Sequence, residues 1–466
     1  MTHTRRHFLR SAWAMGAAAP AFATLANCTS ASGGALAANG RTLDTDPLGF
    51  LDLPAGFTYQ RLSEVGSIMS DGFRVPADHD GMGCFAVDGR PELCVLVRNH
   101  ELAEDEAEKG PFGKGAGLPS PLDSNAVFDI APSGDPIPGG TTTLIYNTET
   151  RMLEDSFLSM VGTARNCSGG ITPWGSWLTC EESEVEPGRE TGQYHGYTFE
   201  VPASARGLVA SVPIREMGRF KREAAAVDPK TGIVYQTEDS ATGLFYRYIP
   251  NQPGELLRGG RTQALAILGI DRADTRNWQN SGLRLEQGQS YAARWLDLED
   301  VEAFETPLQD RGFAQGCARF ARGEGIAWAI DQAGSAAYFA CTTGGAAKAG
   351  QIWRYVPSPY EGTSRESEAP GQLILFYESP DRSEMDMCDN LVPAPWGHLI
   401  ICEDGSDDDY VRGVTPDGRV YPIARSATSE LAGACFSPDG DTLFVNVQKS
   451  GITVAIRGPW ASIAMA

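Results

Sequence analysis

Residues Asn166–Ser183, NCSGGITPWGSWLTCEES, decide how the chain is read. A small, polar start carrying a thiol leads to a tight Pro-Trp-Gly turn, and an apolar run then ends in two adjacent carboxylates, Glu181 and Glu182. A polar anchor, a short strand, a turn whose backbone angles Gly and Pro supply, and a return strand make a β-hairpin. The same order recurs at Asp80–Glu101, Glu223–Asp239, Glu324–Thr343, Asp389–Gly405 and Glu430–Gln448. Their turns fall at Gly89, Asp228–Gly232, Asp331–Gly334, Trp396-Gly397 and Pro438-Asp439-Gly440.

Further strand-like runs lie between the copies, among them Thr141–Tyr146, Tyr197–Val201, Leu244–Ile249, Ile352–Val356 and Gln372–Tyr377. Anchor spacing ranges from 41 residues (Asp389 to Glu430) to 101 (Glu223 to Glu324). The shorter figure suits one four-stranded blade, and the longer ones imply loop insertions. The expectation is an all-β chain, a six-bladed β-propeller with loop insertions, occupying residues 38–466 as a single domain. A β-sandwich is the alternative. In a propeller, equivalent positions of the inner strands ring one mouth of the channel, so Asp80, Cys167, Glu223, Glu324, Asp389 and Glu430 should converge.

Carboxylates crowded into a channel repel one another unless they take up protons or hold cations. Carboxylates suit calcium, whereas a thiolate among them suits iron(III). Beyond the N-terminal segment only His79, His100, His195 and His398 are available, which argues against a zinc site built from histidine. No GxSxG elbow is present, and Gly110–Lys114 lacks the Ser or Thr of a phosphate loop. Arg322 lies two residues before Glu324, and Arg219 and Arg222 lie just before Glu223. Such guanidinium groups can clamp an anionic oxygen substrate or neutralise the acids beside them.

Residues 1–37 read as a signal peptide of the twin-arginine export machinery: TRRHFLR at Thr4–Arg10, then an Ala-rich apolar run. Leu25–Cys28 resembles a lipobox with Asn27 in an unfavourable place, so a periplasmic or secreted protein is favoured over a lipoprotein anchored at Cys28. No later apolar run is long enough for a transmembrane segment. The formal charge is −22, and removing Arg5, Arg6 and Arg10 takes it to −25, which excludes nucleic acid as a partner. Ten cysteines, several inside apolar runs, point to buried thiols and few disulfides.

RNHE at 98–101, NCSGGITPWGSWLTCEE at 166–182, GRFKREAAAVDP at 218–229, RGEGIAW at 322–328, DNLVPAPWGHLIICEDG at 389–405 and ELAGACFSPDGDTLFVNVQ at 430–448 together resemble the PhoX-type alkaline phosphatases. The resemblance runs from about residue 45 to the C-terminus. It implies a twin-arginine-exported, monomeric, six-bladed enzyme that uses iron(III) and calcium to release phosphate from small-molecule phosphate esters. It implies that Cys167 bridges two irons, that Glu223, Glu324, Asp389 and Glu430 are metal ligands with Glu182 beside them, and that Arg322 binds phosphate. Asn99 and Glu101 are further ligand candidates, and Arg219 and Arg222 further substrate contacts. The expected chemistry is in-line attack on phosphorus by a metal-bound oxide or hydroxide. The chain departs from the family in its shortness, with little room between Asp389 and Glu430, and in Arg222, where the pattern has His. A calcium-dependent propeller lactonase or phosphotriesterase-like hydrolase, and a non-catalytic exported propeller, are the alternatives.

Overall fold

In the computed structural model the described residues are 42–465, apart from 121, 280–281, 332–333 and 407. The twin-arginine segment, its cleavage region and Cys28 lie outside the described residues. Among the described residues the fold is nearly all strand, with short helices at Leu308–Gln315 and Trp460–Ala464 and a few 3-10 turns.

Six antiparallel strand groups follow one another. The first is His79–Ala86, Leu93–His100, Gly139–Asn147 and Met152–Thr163; the second is Asn166–Ile171, Ser176–Glu181 and Thr198–Pro202. The third runs from Arg222–Val227 out to Gly260–Ile267 and the fourth from Gly323–Asp331 out to Gln372–Glu378. Strand Ser290–Asp297 pairs with the outer strands of both and joins them into one nine-stranded sheet. The fifth runs from Cys388–Pro393 to Val420–Ser426. The sixth combines Leu431–Phe436, Thr442–Val447 and Ile452–Arg457 with Thr58–Glu64, which returns from the other end of the chain and pairs with Ile452–Arg457. That exchange ties the two ends of the described chain into one blade.

The first strands of successive groups pack against one another and the last packs against the first, so the ring closes. This is the all-β propeller expected. Inner strands are buried on both faces, and Leu93–His100 is buried throughout, which is why these runs lack a clean in–out alternation. The cores lie between adjacent sheets: Phe245, Phe339 and Trp353 fill the space between the third and fourth, and Leu443, Val454 and Ile400 that between the fifth and sixth.

Every inner hairpin carries a register shift at the same place. His79 pairs with His100 and Met82 with Arg98, three steps on one strand against two on the other. The same shift occurs at Asn166/Gly169, Arg222/Ala225, Gly323/Ile326, Cys388/Leu391 and Ala432/Cys435. A bulge bends its strand and re-aims one side chain. Here it re-aims Asp80, Cys167, Glu223, Glu324 and Asp389, the first five anchors.

The sixth position corrects the expected ring, because its bulge residue is Gly433 and not Glu430. A Cβ on Gly433 would stand 2.3 Å from the Asp80 carbonyl oxygen, and its φ is +61°. No side chain fits there. Glu430 instead approaches from just before the sixth inner strand, one residue ahead of Leu431. On the far side of the bulges the channel is apolar, a cavity of about 330 Å³ lined by residues such as Met82, Trp177, Ile326 and Leu391.

Candidate metal centre

At the bulged mouth the anchors meet. Ligand atoms of Cys167, Glu182 and Glu223 lie within 4.8 Å of one another, and so do those of Glu223, Glu324 and Asp389. Glu223 is thus shared by two potential cation sites. Cys167 comes from the second group, on a backbone of Ser168, Gly169 and Gly170 that lets the third inner strand approach closely. Its Sγ lies 3.5 Å and 3.6 Å from the carbonyl oxygens of Arg222 and Glu223.

A second cluster adjoins the first. Gln448 Nε2 donates to Asp80 Oδ2 at 3.2 Å, Glu101 Oε2 at 3.0 Å and Glu430 Oε1 at 3.3 Å. One amide cannot neutralise three carboxylates, and Asp80 Oδ1 is buried with no hydrogen-bond partner. Lys449 and Arg165 add positive charge nearby, Arg165 Nη1 standing 3.7 Å from Glu101 Oε1.

Protons report the same crowding. Burial first, then the charges of Glu324 and Asp389, hold Glu223 well above the usual carboxylate range. Burial with Asp239 and Asp389 does so for Glu324, against the pull of Arg322. Asp80, Asp389 and Glu430 are raised in the same way, burial leading in each. Burial, Asp239 and Glu101 push Glu182 up to about 8. Burial, then Glu223 and Glu182, raises the Cys167 thiol. Acids that resist ionisation together and leave buried oxygens unpaired have the chemistry of a multivalent cation site, because a cation relieves both conditions. The donor set, several carboxylate oxygens and one sulfur, fits hard cations with one thiolate-accepting metal among them.

Arg322 stands at the mouth between two acids. Its φ of +55° marks a strained backbone. Its Nε and Nη2 hold Asp239 at 2.7 Å and 3.2 Å. Nη2 also stands 2.9 Å from Glu324 Oε1, yet its N–H is not aimed there, and that oxygen keeps no hydrogen bond. Burial works against the guanidinium charge, but Glu324 and Asp239 outweigh it.

Other expected contacts turn elsewhere. Arg222 is fully buried and spends its donors on the carbonyls of Gly196, Met217 and Gly218 and on Gln236, inside the blade and away from the mouth. Arg219 donates to the carbonyls of His195 and Glu184. Both guanidinium groups are engaged by backbone carbonyls, Arg222 also by Gln236, and among the described residues neither forms an ion pair with an acid. Asn99 holds the carbonyls of Cys167 and Ser168 at 3.1 Å and 2.8 Å and accepts from Trp177 Nε1 at 2.9 Å, so it braces the thiol bulge from beneath.

Asp239, Asp404 and Gln448 join the mouth without having been singled out by sequence. In an antiparallel hairpin the start of one strand lies beside the end of the next. Acids ending the return strands (Glu101, Glu182, Asp239 and Asp404) therefore form a second tier beside the anchors, and that pattern was readable. His79, His100, His195 and His398 all bond elsewhere and belong to neither cluster.

A family model described as alkaline phosphatase PhoX matches residues 38–152 and 137–451. This chain belongs to the PhoX family. Membership makes it a phosphomonoesterase, a hydrolase of phosphate esters. A solved structure of Pseudomonas fluorescens PhoX in complex with vanadate, a transition state analogue, shares the propeller at a TM-score of 0.62 and 17% identity, over 88% of this chain and 96% of that one. A gluconolactonase from Xanthomonas campestris aligns at a TM-score of 0.38 and 12% identity, over 87% of this chain and 99% of that one. The second likeness is too loose to argue from. Comparison with curated proteins gives no match.

Proposed function

We propose that the bulged mouth of this PhoX protein is the phosphatase centre. In this reading Cys167, Glu182, Glu223, Glu324 and Asp389 hold iron(III), and Asp80, Glu101 and Glu430 hold calcium. The observation that carries it is the meeting of Cys167 with two overlapping acid groups at one buried place. Bound there, such ions would neutralise the carboxylates, activate a water and withdraw charge from phosphorus.

The chain's own residues set the rest. Unneutralised, the ring would repel a phosphate dianion, so binding depends on the acids being paired. Asp239 fixes Arg322 so that its remaining N–H groups can take a non-bridging oxygen in a set direction. Asn99 holds the Cys167 bulge at its backbone. The apolar far half of the channel leaves the bulged mouth as the polar way in.

We further propose export through the twin-arginine machinery, directed by residues 1–37 and followed by their removal, to give a monomeric periplasmic product folding as one domain over 38–466. Metal analysis of natively exported protein, paired with p-nitrophenyl phosphate turnover at alkaline pH, tests the reading. Iron and calcium together with turnover are expected. Calcium without iron would favour the lactonase-like alternative, and tight metal binding with no phosphoester turnover would favour a non-catalytic propeller.

A further inference from the structure

Beside the metal centre lies a polar cleft of about 330 Å³, lined by Glu184, Lys221, Asp239, Ser240, Gln309 and Arg322. It shares Asp239 and Arg322 with the phosphate clamp, so a group leaving phosphorus on that side enters it directly. We propose that this cleft binds the alcohol part of the substrate and selects neutral, hydroxyl-rich leaving groups of the polyol or sugar class. The proposal rests on the phosphatase reading.

Three observations carry it. First, opposite charges balance: Lys221 and Arg322 face Glu184 and Asp239, so a second phosphate or a carboxylate on the substrate would meet no net attraction. Second, donors and acceptors stand free. Among the described residues neither the Lys221 ammonium nor the Glu184 carboxylate has a hydrogen bond or close ion pair. Lys221 lines the cleft two residues before Glu223, so it stands where the cleft adjoins the centre. A hydroxyl both donates and accepts, so neighbouring hydroxyls satisfy Lys221 and Glu184 together. An aryl or alkyl group would desolvate both and pair with neither. Third, no aromatic ring lines the cleft, so a nucleobase finds no stacking face.

The far wall comes from the long insertion between the third and fourth blades. Gln309 lies in the first turn of the helix Leu308–Gln315 and donates from Nε2 to Ser240 Oγ at 3.1 Å. Ser240 in turn accepts the Arg322 amide through its carbonyl at 2.9 Å. The insertion therefore sets the wall while the clamp sets the floor.

The test compares kcat/KM for glucose 6-phosphate and p-nitrophenyl phosphate in the full, metal-replete protein and in Lys221→Met and Gln309→Ala. The sugar-to-aryl ratio should fall about tenfold in each variant, the scale of one net hydrogen bond lost. An unchanged ratio would overturn the proposal. If neither ester turns over, the phosphatase reading falls by itself, and calorimetric titration with glucose 6-phosphate decides this one. Binding weakened about tenfold by Lys221→Met upholds it, and equal or absent binding overturns it.

Discussion

The Cys167 sulfur lies 3.6 Å from the carbonyl oxygen of Glu223, across the seam between the second and third blades. The thiol therefore belongs to the wall of the acid centre and not to a blade core, although it is 4% exposed, as buried as a core residue. Cys167→Ser keeps the size and the hydrogen bond to carbonyl but removes the soft donor. We expect loss of thiolate-to-iron absorption in the visible spectrum and a fall in turnover of at least about 100-fold, the scale at which metal-site changes act. A variant that kept its spectrum and activity would remove Cys167 from the centre.

Arg322 is expected to discriminate fork from point charge. Lysine preserves the charge but cannot hold Asp239 and a phosphate oxygen at once. Arg322→Lys should lower kcat/KM for p-nitrophenyl phosphate by about 100-fold, as removal of one transition-state donor does. Arg322→Ala is less informative, because Asp239 and Glu324 would lose their buried counter-charge and the blade would weaken. Steady-state kinetics on a folded Arg322→Lys protein with unaltered activity would reject the clamp.

The hairpins were readable because anchor, turn and return strand are local chemistry, repeated as NCSGG…PWG…CEE and its five siblings. Cys167, Glu223, Glu324 and Asp389 were found for the same reason: each opens its copy. What escaped depends on backbone packing. Glu430 opens the sixth copy in sequence, but the bulge falls on Gly433, where the Asp80 carbonyl leaves no room for a side chain. Arg222 adjoins Glu223, yet neighbouring strand residues face opposite sides, and the carbonyls that capture it come from the 196–218 loop region. Gln448 leaves no mark in the sequence, because an amide carries no charge signal.

Chelation should destabilise the protein more at alkaline than at acid pH. Glu182 is pushed up to about 8, and Asp80, Glu223, Glu324, Asp389 and Glu430 are also raised. In the cation-free fold these acids bind protons more tightly than in the unfolded chain. Their contribution is complete below the unfolded pKa values, 3.8 for the aspartates and 4.5 for the glutamates, and is lost as pH rises through the folded values. Bound cations remove that loss by replacing the protons. The fall in Tm on adding EDTA should therefore be larger at pH 8.5 than at pH 5.5, by about twofold or more. Equal shifts at both pH values would exclude a carboxylate-held cation.

His195 should give the second blade its own alkaline limit. Its Nδ1 meets Glu181 Oε1 at 2.6 Å and its Nε2 meets Asp129 Oδ2 at 3.1 Å, with the ring fully buried. Burial alone would lower its pKa, but Glu181 and Asp129 outweigh burial and raise it to about 9. A histidine raised in the fold stabilises fully below the unfolded value near 6.5 and ceases to do so as pH climbs through about 9. The imidazolium ties the Phe128–Asp129 loop to the second blade, and Glu181 is further saturated by the amides of Ala164, Gly196 and Tyr197. Metal-loaded wild type should lose on the order of 3 kcal/mol of unfolding free energy between pH 6.5 and 10 from this group. His195→Gln, which cannot carry the charge, should be less stable at pH 6.5 and show a flatter profile across that range. Parallel profiles in urea titrations of the two proteins would show that His195 is neutral in the fold.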